Sequence, residues 1–487
     1  MGKILKDILI YGGSEILLKG ITAFMALPIY TRIFAPEDYG VWSFINTSVG
    51  LLSGILILGG DSAYARFFFE ARTEQEKQLV TSTLLLFSFL WSGSIILFCL
   101  PFTSFFSQWS LGTPQYGNIF FLALLCVPFT LINSLCGQAL RNQFRASLFT
   151  ALNAITTFLT IAFSLCGVLV LKMGLMGVMG GTLLATFMLL PIRLWTVRTL
   201  LHPAFSIQVL RKLLGYGVPL VPSSLAYWVF GSSDRIVLGK LSTVEQVGLY
   251  AVANNATNLL GFVNSAIGQA WTPHALQIYE EQPNQASAFF GQVMTYILAG
   301  FGLLCVGITI FAREILMVLS TPAFYSASLA IGPLAIGFMA YASTQVTSIG
   351  ISLTKQTQYF AIFSWLSALL NLGLNIIFVP QGGMIAASWS TAVSYIFLTV
   401  AYLCISQKLQ PVVYEKRKAV IVISLTFGFT IVAPFVPNIN LIINLLQKTA
   451  FCLTYIALLF EFKVLEQSQF NELVASLQKR IKKNDTQ

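Results

Sequence analysis

Glu15 and Lys19 stand four residues apart inside an apolar stretch. That spacing puts a carboxylate and an ammonium on one face of a helix. Charges in a long apolar run are costly unless they are paired or face water. Lys19 could therefore meet an anionic group, with Glu15 as its counter-ion or as the seat of a coupling cation. The plainer reading is a pair that neutralises itself for assembly. Further charges sit at the ends of apolar runs: Arg32, Asp234 with Arg235, Asp61 with Arg66, and Arg141 with Arg145, again four apart. Arginine is suited to phosphate because its planar fork matches two oxygens at once; it also snorkels to interfaces without any further role. Amides form another set, at Asn46, Asn254, Asn255, Asn258, Asn264, Gln269, Asn371 and Asn375. Buried amides join helices by hydrogen bonds, and amides on a cavity wall would suit sugar hydroxyls. Aromatics such as Trp42, Tyr250, Trp271 and Tyr279 read as packing or interface residues.

Other chemistries lack their signatures. No G-x-x-x-x-G-K-[ST] sequence occurs, so nothing points to direct use of ATP. His202 and His274 are the only histidines, and neither has a carboxylate or cysteine at metal-ligand spacing. No nucleophile elbow is present. The seven cysteines lie in or beside apolar runs and read as small buried hydrophobes. The sequence thus implies no cofactor, no metal and no enzyme.

The elements that must position these groups follow from composition. Of 487 residues, 56% are hydrophobic and 9% are charged, where soluble domains carry roughly 25% charged residues. The chain is expected to be an all-α polytopic membrane protein. Apolar runs of membrane-spanning length fall near 9–31, 41–61, 79–101, 118–140, 148–171, 175–195, 213–237, 245–270, 291–312, 327–351, 359–379, 383–406, 418–436 and 441–461, fourteen in all. Glycine permits the tight reversals at 172–174 and 381–383. The net charge of +10 would suggest nucleic acid in a soluble protein. Here it reflects basic loops: with the N-terminus inside, twenty-one Lys and Arg fall on the inner loops against six outside, which makes both termini cytoplasmic.

An offset of 208 residues relates Gly40 to Gly248, Gly60 to Gly268 and Gly174 to Gly382. Such persistence points to duplication of a half-protein, and two equivalent halves in a hydrophobic chain suggest a transporter. Six helices per copy leave the repeats parallel. The expected divisions are an N-terminal bundle at 1–197, a connector at 198–212, a C-terminal bundle at 213–407, two further helices at 408–462 and a basic cytoplasmic tail at 463–487.

The run Thr31-Arg32-Ile33-Phe34-Ala35-Pro36-Glu37-Asp38-Tyr39-Gly40 resembles the helix 1–2 junction of Wzx-type polysaccharide flippases in the MATE-like MOP superfamily. Gly248-Leu249-Tyr250, Trp271-x-Pro273, Phe324-Tyr325-x-Ala327 with Pro333, and Ala368–Asn371 running to Pro380-Gln381-Gly382 look like further family positions. The resemblance implies two six-helix bundles around a central cleft that opens alternately to each side. It implies transfer of an undecaprenyl-pyrophosphate-linked oligosaccharide, such as an O-antigen unit of lipopolysaccharide, across the bacterial inner membrane. Lys19, Arg32, Arg66, Arg141, Arg145 and Arg235 would receive pyrophosphate, and the amides would receive sugars. Glu15, Asp61 and Asp234 would act as counter-ions or bind H+ or Na+. Membrane lipids and glycan polymerase or chain-length proteins would be the partners, and nucleic acid would not. The alternatives are a cation-coupled multidrug exporter of the MATE type, which calls for carboxylates deep in the cleft, and a membrane glycan polymerase or ligase, which calls for a sizeable outer loop.

Overall fold

The computed structural model describes residues 27–465 apart from Lys355 and residues 438–439. Glu15 and Lys19 lie outside the described residues, as do most of the first expected span and the basic tail beyond 465.

Helix α1 (Pro36–Leu56) follows a short helical stretch at 27–33. After it come α2 (Gly60–Glu70), α3 (Glu74–Cys99), α4 (Thr103–Leu111), α5 (Gly117–Asn142), α6 (Ala146–Leu165), α7 (Leu175–Thr196) and α8 (Ile207–Gly217). The second half holds α9 (Val221–Leu241), α10 (Val244–Glu281), α11 (Pro283–Ile310), α12 (Ala312–Leu319), α13 (Ser328–Thr347), α14 (Ile349–Leu353), α15 (Gln358–Leu409), α16 (Lys416–Val432) and α17 (Leu441–Glu461). No strand occurs among the described residues. Ten described helices, some of them consecutive elements run together, are long and apolar enough to cross a membrane. The protein is therefore polytopic and built of helices, in which backbone hydrogen bonds close within the segment as a bilayer demands.

Local chemistry sets the helix ends. Thr73 and Glu76 form a reciprocal capping box that starts α3. Gly59, at φ +65°, breaks the chain between α1 and α2, a conformation that costs glycine nothing. At the expected 381–383 join, Gly383 adopts φ +50° inside the 52-residue α15, so two helices meet there. At 172–174, Lys172 and Gly174 both take positive φ.

Contacts divide the chain into two compact units. The first comprises residues up to Val252 with Leu319–Phe324 and Ser364–Ala387. Within it α7 packs on α5 and α6, α3 on α5, α1 on α9 and α2 on α8. Small residues permit the closest approaches, as in transmembrane helices generally: Gly167 meets the Gly177 backbone, and Gly181 meets that of Ser164. At another close approach, a Cβ on Gly40 would fall on the Val244 carbonyl oxygen, and one on Gly248 would fall on that of Pro36. Positions 36 and 40 stand 208 residues before 244 and 248, so duplicated positions contact each other reciprocally, as a local two-fold axis requires.

The second unit comprises Ala253–Val318, Tyr325–Phe363 and Ser388–Gln487. Here α11 packs against α13, α16 and α17. Gly302 lies under the Tyr455 and Thr426 hydroxyls, which bond each other at 2.8 Å.

Four sequence expectations change. Arg141 and Arg145 do not share a helical face: α5 ends at Asn142, Phe144 turns left-handed at φ +57°, and Arg145 precedes α6. Arg193, counted as a loop charge, is 4% exposed at the end of α7. Its guanidinium bonds the Asn133 and Leu152 carbonyls, Asn153 Oδ1 and the Thr156 hydroxyl, tying α7 to α5 and α6. Lys448, also counted with the loops, lies within α17 and is buried. Its Nζ makes a bidentate ion pair with Glu314 of α12 at 2.6 and 2.8 Å. Among the cysteines, Cys126, Cys136 and Cys305 are buried but Cys166 and Cys404 are exposed. A weakly polar thiol is at home against lipid as well as in a core.

Candidate functional site

The first unit contains a buried polar cluster centred on Asp234. Helix α9 carries Ser233 and Asp234, α10 carries Tyr250, and α15 carries Asn371 and Asn375, one turn apart and so on one face. Asp234 is 2% exposed, and both asparagines are 0% exposed. The Tyr250 hydroxyl donates to Asp234 Oδ2 at 2.6 Å, and Asn375 Nδ2 donates to Oδ1 at 2.5 Å. Asn375 Nδ2 also donates to Asn371 Oδ1 at 3.1 Å, and the Ser233 hydroxyl donates to that same oxygen at 3.4 Å.

An ionised carboxylate taken out of water is costly, and several aligned donors are what make such burial tolerable. Asn375 Oδ1 is buried with no hydrogen-bond partner among the described residues. An unsatisfied acceptor beside a carboxylate makes an oxygen-rich niche, the chemistry that hard cations or a proton seek. Next to it, Arg235 is half-buried and its Nε finds no partner among the described residues.

The structure thus joins residues that the sequence placed in separate sets, Asp234 with the charges and Asn371 and Asn375 with the amides. The Asn375 amide nitrogen and the Asn371 amide oxygen both bond within the cluster. Tyr250 belongs to it although the sequence suggested packing; a phenol in an apolar helix needs a polar partner, and that was the available signal.

The other candidates are dispersed. Arg66 is exposed, pairs with Glu70 at 2.8 Å and covers the Tyr216 ring at 4.7 Å. Asp61 is half-buried in the first turn of α2, where the helix N-terminus favours its charge. Arg141 bonds Gln138 and covers Phe149 at 5.1 Å. Arg145 donates to the Thr196 carbonyl at 3.1 Å. Arg32 is exposed and donates to the Pro28 carbonyl at 2.8 Å. Asn46 is exposed and bonds the Trp42 carbonyl one turn back. In α10, Asn254, Asn255 and Asn258 are all half-buried. No cluster of three or more His, Cys, Asp or Glu that could hold a metal occurs among the described residues.

The fold is that of MATE-like transporters of the MOP superfamily. The chain aligns over 95% of its length with a structure of the lipid II flippase MurJ in an inward closed conformation, covering 100% of that chain at a TM-score of 0.74 and 13% identity. It also aligns over 80% of its length with an inward-facing MATE family multidrug resistance transporter of the MOP superfamily, covering 94% of that chain at a TM-score of 0.63 and 16% identity. Residues 4–279, more than half of the sequence, match the family described as Polysaccharide biosynthesis protein, and the chain belongs to that family. An uncharacterized membrane protein of Methanocaldococcus jannaschii is 23% identical over 284 residues. The match takes in 57% of this chain and spans 55% of that relative.

Proposed function

We propose that this protein carries an oligosaccharide linked to undecaprenyl pyrophosphate from the inner to the outer leaflet of the bacterial cytoplasmic membrane by alternating access. The observation that carries this reading is membership of a polysaccharide biosynthesis family on a fold shared with a lipid II flippase. The machine consists of fourteen spans with both termini in the cytoplasm, in two bundles at 1–197 and 213–407, and it is not an enzyme. Lys19, Arg32, Arg66, Arg141, Arg145 and Arg235 meet the pyrophosphate during its passage. Asn46, Asn254, Asn255 and Asn258 meet sugar hydroxyls. Asp234 binds the coupling proton or sodium ion, with Asn371, Asn375 and Tyr250 holding its carboxylate in place; Glu15 and Asp61 are counter-ions.

Deletion of the gene, followed by analysis of surface glycan and of lipid-linked repeat units, tests the reading. Accumulation of inward-facing intermediates with loss of surface glycan is the expected result. A second reading, a cation-coupled exporter of small organic molecules, is favoured by the buried Asp234 on a fold that MATE transporters share. Unchanged glycan with altered drug tolerance would select it.

A further inference from the structure

The first unit holds a cavity of about 410 Å³ with no part in the Asp234 cluster. Its walls include Val49 and Leu52 of α1, Phe106 of α4, and Phe120 and Leu124 of α5. The hydroxyls in the lining are already used: Ser48 donates to the Phe44 carbonyl and Ser110 to that of Phe106. The volume is more than ten times the ~30 Å³ share of one water, yet the walls offer a chain of waters almost nothing to bond. An apolar occupant fits this space.

The rim differs from the walls. Lys240, the only charged residue of the lining, places its Nζ 3.0 Å from the centroid of the Trp109 ring. Lys240 has no carboxylate partner among the described residues. Helix α4 ends at Leu111 and α9 at Leu241, so both residues stand in the last turns of their helices. Tryptophan and lysine at helix ends mark the headgroup level of a bilayer.

We propose that this cavity is a binding site for an anionic membrane phospholipid, with one acyl chain between α1, α4 and α5 and its phosphate on Lys240. The single cation matches the single charge of a phosphodiester; a pyrophosphate would call for more than one. This assignment stands apart from the transported substrate and holds for a flippase or an exporter alike.

The test uses the full-length protein in nanodiscs containing phosphatidylglycerol with a photoreactive group on one acyl chain, and cross-linked peptides are read by mass spectrometry. Labels are expected on peptides spanning Val49–Leu52 and Phe106–Trp109. Lys240→Gln is expected to reduce them about fivefold, the worth of one basic residue at an anionic surface, while Lys172→Gln leaves them unchanged. Leu52→Trp, which fills the space, should abolish them. Should that variant fail to fold, alkylation of Cys99 in the wild-type lining gives a second measurement: phosphatidylglycerol is expected to slow it. Equal labelling by a photoreactive phosphatidylcholine, stronger competition by undecaprenyl phosphate than by phosphatidylglycerol, or no label in these peptides would each overturn the proposal.

Discussion

At the scale of single residues, the proposed coupling turns on a carboxylate that the fold has taken out of water. Asp234 keeps its place through donors on two other helices, and a hydrogen bond to a charged group contributes about 1.5–3 kcal/mol. Tyr250→Phe is therefore expected to lower stability by about that amount, read as a lower melting temperature in detergent. Asp234→Asn keeps the shape but removes the charge. It is expected to leave expression intact and cut glycan export on the order of tenfold or more, since an amide cannot carry a titrating or cation-binding charge; undiminished export would remove Asp234 from the mechanism. The Glu314–Lys448 pair behaves differently. Both side chains are largely buried, so Lys448→Ala strands a carboxylate and should cost about 3–5 kcal/mol, whereas the double change Glu314→Gln with Lys448→Met should recover most of that loss in the same melting assay.

At the scale of elements, helix contacts and helix ends carry the consequences. The reciprocal approach of α1 and α10 leaves no room for a Cβ. Gly40→Ala and Gly248→Ala should each force these helices apart, measured as faster labelling of a cysteine placed at Trp42. Valine at either site should act more strongly. Ahead of α16, Glu415 shows how an end responds to pH. Burial alone would raise its pKa, but hydrogen bonds from Lys418 and Thr295 outweigh that and hold it below the ordinary carboxylate value of 4.5. A carboxylate with a depressed folded-state pKa adds stability that is fully present above its unfolded value and is lost as pH falls through the folded one. Melting temperature should accordingly drop on acidification below the ordinary carboxylate range, and Glu415→Gln should flatten that part of the profile.

For the whole molecule, orientation is the property from which the proposed direction of transfer follows. The excess of Lys and Arg on alternate loops persists when Arg193 and Lys448 are taken out of the count, because they are one residue from each side of a large imbalance. With native cysteines replaced, a cysteine at Lys172 should react with an impermeant maleimide from outside the cell, and one at Lys212 should react only after the membrane is opened. The reverse pattern would invert the topology and with it the proposed direction of transfer.

Much of this architecture was legible in the chain itself. Helical spans and the reversals at Gly174 and Gly383 depend on hydropathy and backbone freedom, which are properties of neighbouring residues; the break at Gly59 falls inside the single span expected at 41–61. The duplication was legible too, as a constant spacing of glycines. The partners of charged and polar groups were not. Asp234 meets Asn375 across 141 positions, Lys448 meets Glu314 across 134, and Arg193 reaches Asn133 across 60. A sequence presents each such residue as a lone polar group to be assigned to a loop, a cleft or an interface. Only packing decides, because the cost of an unpaired charge in an apolar interior is met by whichever donor or acceptor the helices bring within about 3 Å.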